Sequence, residues 1–358
     1  MSSGISDPAL ETLWAPFDSG LLPWPPSSCL FLRARAGASL RRHAAPGWKF
    51  EQSFKPLVDE LIRQGFDVDP ELTETAATMR YSRVLVLPPR QREEARALLA
   101  RAVSLAAPAG IVVACMENGE GAKSGESDLK LLAGPGGSLS KRHCRVFWTP
   151  PLPDTVDGAL LSRWLALDEP RSVRTHGEMG GEFLSRPGIF SWNRIDPASS
   201  LLARHLPANL AGQGADLGVG YGYLADAVLS RCPRIVRLDL YDAEARALAL
   251  AERNLARYAP TVDLRYRWHD VTTGLQERYD FIVSNPPFHG QGREGRPEIG
   301  QRFIATAAAA LRPSGRLWMV ANRHLPYEKM LSGRFGEVRV VADDRGFKVI
   351  EAIGAKRS

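Results

Sequence analysis

Long apolar runs are missing from this chain: no hydrophobic stretch approaches the roughly 18 residues that a membrane-spanning helix requires, so no membrane association is expected. The opening residues, MSSGISDPALETLW, have neither a basic start nor a continuous apolar segment, which argues against a secretory signal and makes a cytoplasmic location the expectation. Cysteine is scarce. Cys29, Cys115, Cys144 and Cys232 lie far apart, with no CxxC pair and no histidine cluster to complete a zinc site, so they read as reduced thiols and no metal is expected. Two nucleotide-binding signatures are also absent. GEGAKSG fails the G-x-x-x-x-G-K-[ST] spacing of a phosphate loop, and the glycine-rich segment at 218–222 is followed by Tyr223 where a dinucleotide fold would want a third glycine.

The chain has 358 residues, enough for two domains of ordinary size, and its 44% hydrophobic and 24% charged residues are ordinary globular values. A formal charge of +6 and a pI near 9.2, much of it from arginine, favour polyanionic partners.

Ser82 to Cys115 reads strand, helix, strand: RVLVLP, then QREEARALLARAVSLA, then GIVVAC. A loop rich in Gly, Ser and Lys is expected at 117–140, then a short strand CRVFW, then a connection between domains. In FSWNRIDPASSLLARHLP, Asp196 is placed to cap a helix, Pro197 fits its first turn and Pro207 stops it. Beyond it come VRLDLYD, a helix over 243–258, LRYRWHD, YDFIVSNPP, a helix around FIATAAAAL, GRLWMVAN and FKVIEAI. This alternation predicts an α/β domain with a doubly wound, mostly parallel sheet. The halves also resemble each other. YSRVLVLPPR aligns with YDFIVSNPPF, although Leu87 precedes Pro88 and Pro89 where Asn285 precedes Pro286 and Pro287.

ADLGVGYGYL is a strand entering Gly218, Gly220 and Gly222 and then a helix, a turn that lets backbone approach a ligand. Asp242 ends the next strand, twenty positions after Gly222, where a carboxylate can accept both hydroxyls of a ribose. Asp239 is the competitor and points to the other face. Asp270, at the third strand end, suits either an adenine amino group or a turn cap. The sharpest signal is Ser284-Asn285-Pro286-Pro287-Phe288-His289. Consecutive prolines fix φ and leave carbonyls free at the sheet's carboxyl edge. The Asn285 oxygen and the Pro286 carbonyl can accept from one flat NH2 group, and Phe288 can stack a base. His289 is as readily a surface residue as a substrate contact, and Lys348 reads as strand edge.

Through FSWNRIDPASSLL, DLGVGYGYL, SNPPFH and ANRHLPY followed by GFKVIEA, the second half resembles the bacterial small-subunit ribosomal RNA guanine-N2 methyltransferases and their large-subunit relatives. CMENGEGAKSG and SLSKRHCRVF extend the resemblance to that family's N-terminal domain, a duplicated, cofactor-free copy of the methyltransferase fold. The resemblance implies S-adenosylmethionine as cofactor, held by Asp216, Gly218, Gly220 and Asp242, with Asp270 near its adenine and Asn285, Pro286 and Phe288 on the target base. It departs in the basic stretch GREGRPEIGQR after His289.

The expected architecture is therefore two Rossmann-like methyltransferase domains. Residues 1–150 would form the degenerate copy with an RNA-binding role, 151–185 a linker, and 186–358 the catalytic domain. The expected reaction is methyl transfer to N2 of a guanine in ribosomal RNA, free or in a ribosomal subunit or assembly intermediate, by a monomer. A methyltransferase acting on a protein glutamine amide would present the same NH2, and a non-catalytic RNA-binding assembly factor would retain the fold without the chemistry.

Overall fold

The computed structural model describes residues 7–72, 74–154, 156–174, 181–287, 297–325 and 327–356, and the chain divides into two units, Met1–Glu169 and Pro170–Ser358. The first holds β1 (Cys29–Leu32), β2 (Lys49–Glu51), β3 (Val68–Asp69), β4 (Tyr81–Val86), β5 (Ala106–Glu117), β6 (Gly137–Lys141) and β7 (Cys144–Trp148), in the order β3-β2-β1-β4-β5-β7-β6. The second holds an antiparallel pair, β8 (Arg171–Arg174) and β9 (Glu182–Ser185), and then β10 (Ala211–Leu217), β11 (Arg234–Asp242), β12 (Asp263–Trp268), β13 (Tyr279–Ser284), β14 (Leu311–Asn322), β15 (Phe335–Asp344) and β16 (Phe347–Ala355). Its sheet runs β12-β11-β10-β13-β14-β16-β15, which is the first sheet's order repeated. In both, the first five strands pair in parallel and the closing hairpin is antiparallel.

The repetition extends to a detail. The pairing of β4 with β5 slips between Tyr81 and Arg83, and that of β13 with β14 slips between Tyr279 and Phe281, so the duplication suggested by YSRVLVLPP and YDFIVSNPP is a structural one. Central strands in such a sheet are covered on both faces and read as continuous apolar runs. Alternate residues serve the two faces: Val84 and Val112 join one core of the first unit, and Leu85 and Val113 the other. Likewise Phe281 and Val283 face one core of the second unit, and Ile282 and Met319 the opposite one. Among the described residues no helix is long and apolar enough to cross a membrane. The four cysteines are buried free thiols.

Two expectations need correction. The glycine- and serine-rich stretch at 117–140 is not a loop: after a single 3-10 turn it forms a helix, Ala122–Ala133. Its glycines lower helix propensity, but Ala122, Leu129 and Leu132 bury one stripe in the first unit's core, and Arg96 grips Asp128 through two 2.9 Å bonds. Nor is 151–185 a bare connection. It contains a helix, Gly158–Leu165, capped by Asp157, whose Trp164 is buried in the first unit with the Arg96 guanidinium 4.9 Å from its ring centre. The rest of the stretch carries β8 and β9, which belong to the second unit.

Candidate active site

β10 and β13 are hydrogen-bonded neighbours with Leu217 opposite Ser284, and the Ser284 hydroxyl donates to the Leu217 carbonyl at 2.7 Å. That pairing sets the glycine turn beside the Asn-Pro-Pro corner. A Cβ on Gly218 would lie 4.0 Å from the Asn285 carbonyl oxygen. Gly218, Gly220 and Gly222 have φ of +82°, +57° and +99°, a region costly for other residues, and the space in front of Gly220 is open. The helix Tyr223–Arg231 then presents its amino end at this edge.

The Asn285 side chain is fixed by contacts to residues far back in the sequence. Its Nδ2 donates to Asp196 Oδ2 at 3.0 Å and to Ser199 Oγ at 2.8 Å. The same Asp196 oxygen accepts the Ser199 N–H at 2.8 Å, the cap expected for the helix Pro197–His205. With both amide hydrogens engaged, Oδ1 is the atom left to face outward. Asn285 itself is part-buried, Pro286 is buried and Pro287 is exposed. Phe288 and His289 lie outside the described residues, as does the start of the basic stretch that follows.

The acids separate cleanly. Asp239 is fully buried, accepts the Tyr279 hydroxyl at 2.7 Å, and has Arg237 3.4 Å away, so it belongs to the interior. Asp242, at the strand tip, accepts the Gly220 N–H at 2.8 Å and the Glu244 N–H at 2.9 Å. A carboxylate has about four acceptor positions, so capacity remains. Burial pushes the Asp242 carboxyl up to about 6, against the pull of these N–H groups. Asp216 is completely buried, and among the described residues no side chain bonds to either of its oxygens. Burial first, then the Asp242 charge, push it up to about 8, with the Ala225 N–H offsetting only part of this. Asp270 takes its turn-cap alternative: Oδ1 accepts from the Thr272 N–H at 2.9 Å and the Thr272 hydroxyl at 2.7 Å. Lys348, on β16, is paired with Glu328.

A chain from Shewanella baltica (strain OS185) named ribosomal RNA small subunit methyltransferase C is 33% identical over 297 residues, covering 82% of each chain. One of the same name from Psychromonas ingrahamii is 30% identical over 278 residues, 76% of each. The chain belongs to the ribosomal RNA small subunit methyltransferase C family. A family model described as the methyltransferase small domain matches residues 180–351, the part that contains the site. The fold is that of a T. thermophilus 16S rRNA N2 methyltransferase solved with AdoMet and guanosine, at a TM-score of 0.78 and 23% identity, over 98% of this chain and 93% of that one.

The first unit of this family member retains the backbone of the site and loses its groups. Leu32 pairs with Glu51 as Leu217 pairs with Tyr241, so Arg33 stands where Gly218 does and Gln52 where Asp242 does. Arg33 keeps a positive φ of 53°. The Ala34 N–H reaches the Glu51 carbonyl at 2.9 Å as Val219 reaches that of Tyr241, and Gln52 accepts from Phe54 N–H at 3.0 Å as Asp242 does from Glu244. Gln52 then spends its NH2 on the Ala34 carbonyl at 2.8 Å. Arg33 pairs with Glu94 at 3.1 Å and Arg35 with Asp7 at 2.9 Å. Leu87 stands at the place of Asn285, since each follows a six-residue strand of the same register.

Sequence reasoning missed the second task of Asp196 and the whole task of Ser199. Asp196 was legible as a helix cap, but nothing local signals that the cap's spare capacity is used 89 positions away. The signal available was the pair D-x-x-S before an apolar helix, in a chain that also carries an Asn-Pro-Pro corner.

Proposed function

We propose that this chain transfers a methyl group from S-adenosylmethionine to the exocyclic N2 amine of a guanine in small-subunit ribosomal RNA. Family membership supports the substrate class, and the observation that carries the chemistry is the corner at Asn285. With both its hydrogens held by Asp196 and Ser199, the side chain can offer only oxygen to a visitor.

A guanine N2 amine delocalises its lone pair and is a weak nucleophile. Two acceptors, Asn285 Oδ1 and the Pro286 carbonyl, take its two protons in hydrogen bonds and turn the lone pair toward the donor side of the cleft. Holding the amine in that attitude removes orientational freedom, a contribution of up to ~7–11 kcal/mol in well-aligned systems. Consecutive prolines keep the backbone from adjusting away. Phe288 is assigned to the base face. The target base must be unpaired or extruded to enter, at a cost of a few kcal/mol, so a loop, bulge or immature subunit suits the site.

The residues fit the cofactor. Asp216 is a buried acid with no cation beside it and only the Ala225 N–H to offset its charge, the kind of group that a cationic amine would complete. Asp242 has free acceptor positions for ribose hydroxyls, the unsubstituted backbone at Gly218 and Gly220 leaves room for close approach, and the Asp270 oxygen that its turn does not use is assigned to the adenine. When bound, S-adenosylmethionine supplies an electrophilic methyl group. The first unit, with Gln52 at the place of Asp242, is assigned to gripping RNA; Arg41 and Arg42 are exposed at the end of the helix Ala38–His43. The protein acts as a monomer on a ribosomal subunit or assembly intermediate.

The test is a product map. Ribosomal RNA lacking the modification is incubated with the protein and S-adenosylmethionine, digested to nucleosides, and weighed. N2-methylguanosine is the expected product; methylation of any other nucleoside, or of a protein glutamine alone, overturns the assignment.

A further inference from the structure

Resting on the amine-acceptor role given to Asn285, we infer that Asp196 and Ser199 are positioning residues for methyl transfer, a two-point clamp that sets which face of the Asn285 amide meets the substrate. A primary amide is nearly symmetric in shape, so packing alone discriminates poorly between its two orientations. Turned by 180°, Asn285 would present NH2 to the substrate's NH2, donor against donor, and the corner would repel what it must hold.

The clamp removes that choice by hydrogen-bond polarity. Asp196 Oδ2 already accepts the Ser199 backbone N–H at 2.8 Å, and a backbone N–H can only donate, so this oxygen is an acceptor. The Asn285 atom 3.0 Å from it must therefore be the nitrogen. Ser199 Oγ takes the second amide hydrogen at 2.8 Å, on a residue that is only 8% exposed. Asp196 and Ser199 occupy the cap and third positions of one helix, so a single element carries both points of the clamp. The helix Pro197–His205 packs Leu201, Leu202 and Ala203 into the same core as Phe281 and Val283 of β13, which holds clamp and corner in one rigid frame.

Serine at position 196 is as good a helix cap as aspartate but one bond shorter, so Asp196→Ser should keep the helix while releasing Asn285. The expected result is a fall in single-turnover rate on the order of 100-fold, the scale of a small misplacement of a reacting group, with S-adenosylmethionine affinity and Tm near wild type. Ser199→Ala should fall less, since one point of the clamp survives. Asp196→Asn retains an acceptor oxygen for both bonds and should recover most of the rate. The decisive readout is coupling: Asp196→Ser should cost nothing further in an Asn285→Ala background, because it acts through that side chain. Wild-type turnover in Asp196→Ser, or equal losses in both backgrounds, overturns the clamp alone. Wild-type turnover in Asn285→Ala instead overturns the acceptor reading on which the clamp rests.

Discussion

S-adenosylmethionine should bind this protein more tightly as pH rises from about 6 to about 7.5, because Asp216 must give up a proton to receive a cation. The Asp216 carboxyl is pushed up to about 8 by complete burial and, next, by the Asp242 charge. At about pH 6 roughly 1% of it is ionised and at about pH 7.5 roughly a quarter, so affinity should rise roughly 20-fold, about 2 kcal/mol. Asp242, raised to about 6 by burial, adds a smaller gain at the acid end. The cofactor-free protein should move the other way. An acid whose folded pKa lies above its unfolded one binds more protons folded than unfolded, so stability falls as pH rises between about 4 and about 8. Calorimetry at about pH 6.5 in two buffers of different ionisation enthalpy should reveal close to one proton released per cofactor bound, and Asp216→Asn should remove most of that release and of the pH slope, leaving the smaller part that Asp242 contributes. A flat affinity profile with no proton release would refute the pairing of Asp216 with the cofactor.

Other perturbations separate the site from its support. Gly220→Ala places a methyl in open space at the cleft and should weaken S-adenosylmethionine binding in a titration, whereas Gly222→Ala meets Leu255 at 3.2 Å with φ at +99° and should lower stability by roughly 1–3 kcal/mol in a denaturant melt. Tyr279→Phe strips Asp239 of its 2.7 Å hydroxyl donor in the interior and should cost roughly 1–3 kcal/mol of stability without altering the methylated product. Reversing Arg41 and Arg42 to glutamate should weaken RNA binding and flatten its salt dependence, measured by filter binding at graded salt, while leaving cofactor affinity alone.

Strand-forming runs and glycine turns were legible because their cause is local. YDFIVSNPP announces a buried strand with a rigid end, and Asp196 followed by Pro197 announces a helix start. What stayed hidden depends on burial that no window reveals. The helix Ala122–Ala133 contains glycine and serine that suggest a loop, and only the covering of Leu129 and Leu132 holds it. β1 is four residues, Cys29–Leu32, too short to stand out, yet it is an interior strand of its sheet, between β2 and β4. β15, Phe335–Asp344, is an edge strand with mostly exposed residues and so lacks an apolar signature. Leu87 against Asn285 could be read directly, and so the loss of the amide side chain in the first copy was visible. Its mechanism was not: that Arg33 inherits a glycine's φ and Gln52 turns inward on Ala34 emerges only from strand register. Asp270 shows the limit from the other side, since a strand-end acid next to threonines caps its own turn first.

The most direct test is single-turnover methyl transfer by Asn285→Ala with saturating S-adenosylmethionine and unmodified small-subunit RNA. Loss of one oxyanion-type or acceptor contact in a preorganised site typically costs ~100- to 1,000-fold in rate, and that loss is expected here with cofactor affinity unchanged. Turnover equal to the parent protein would contradict the account.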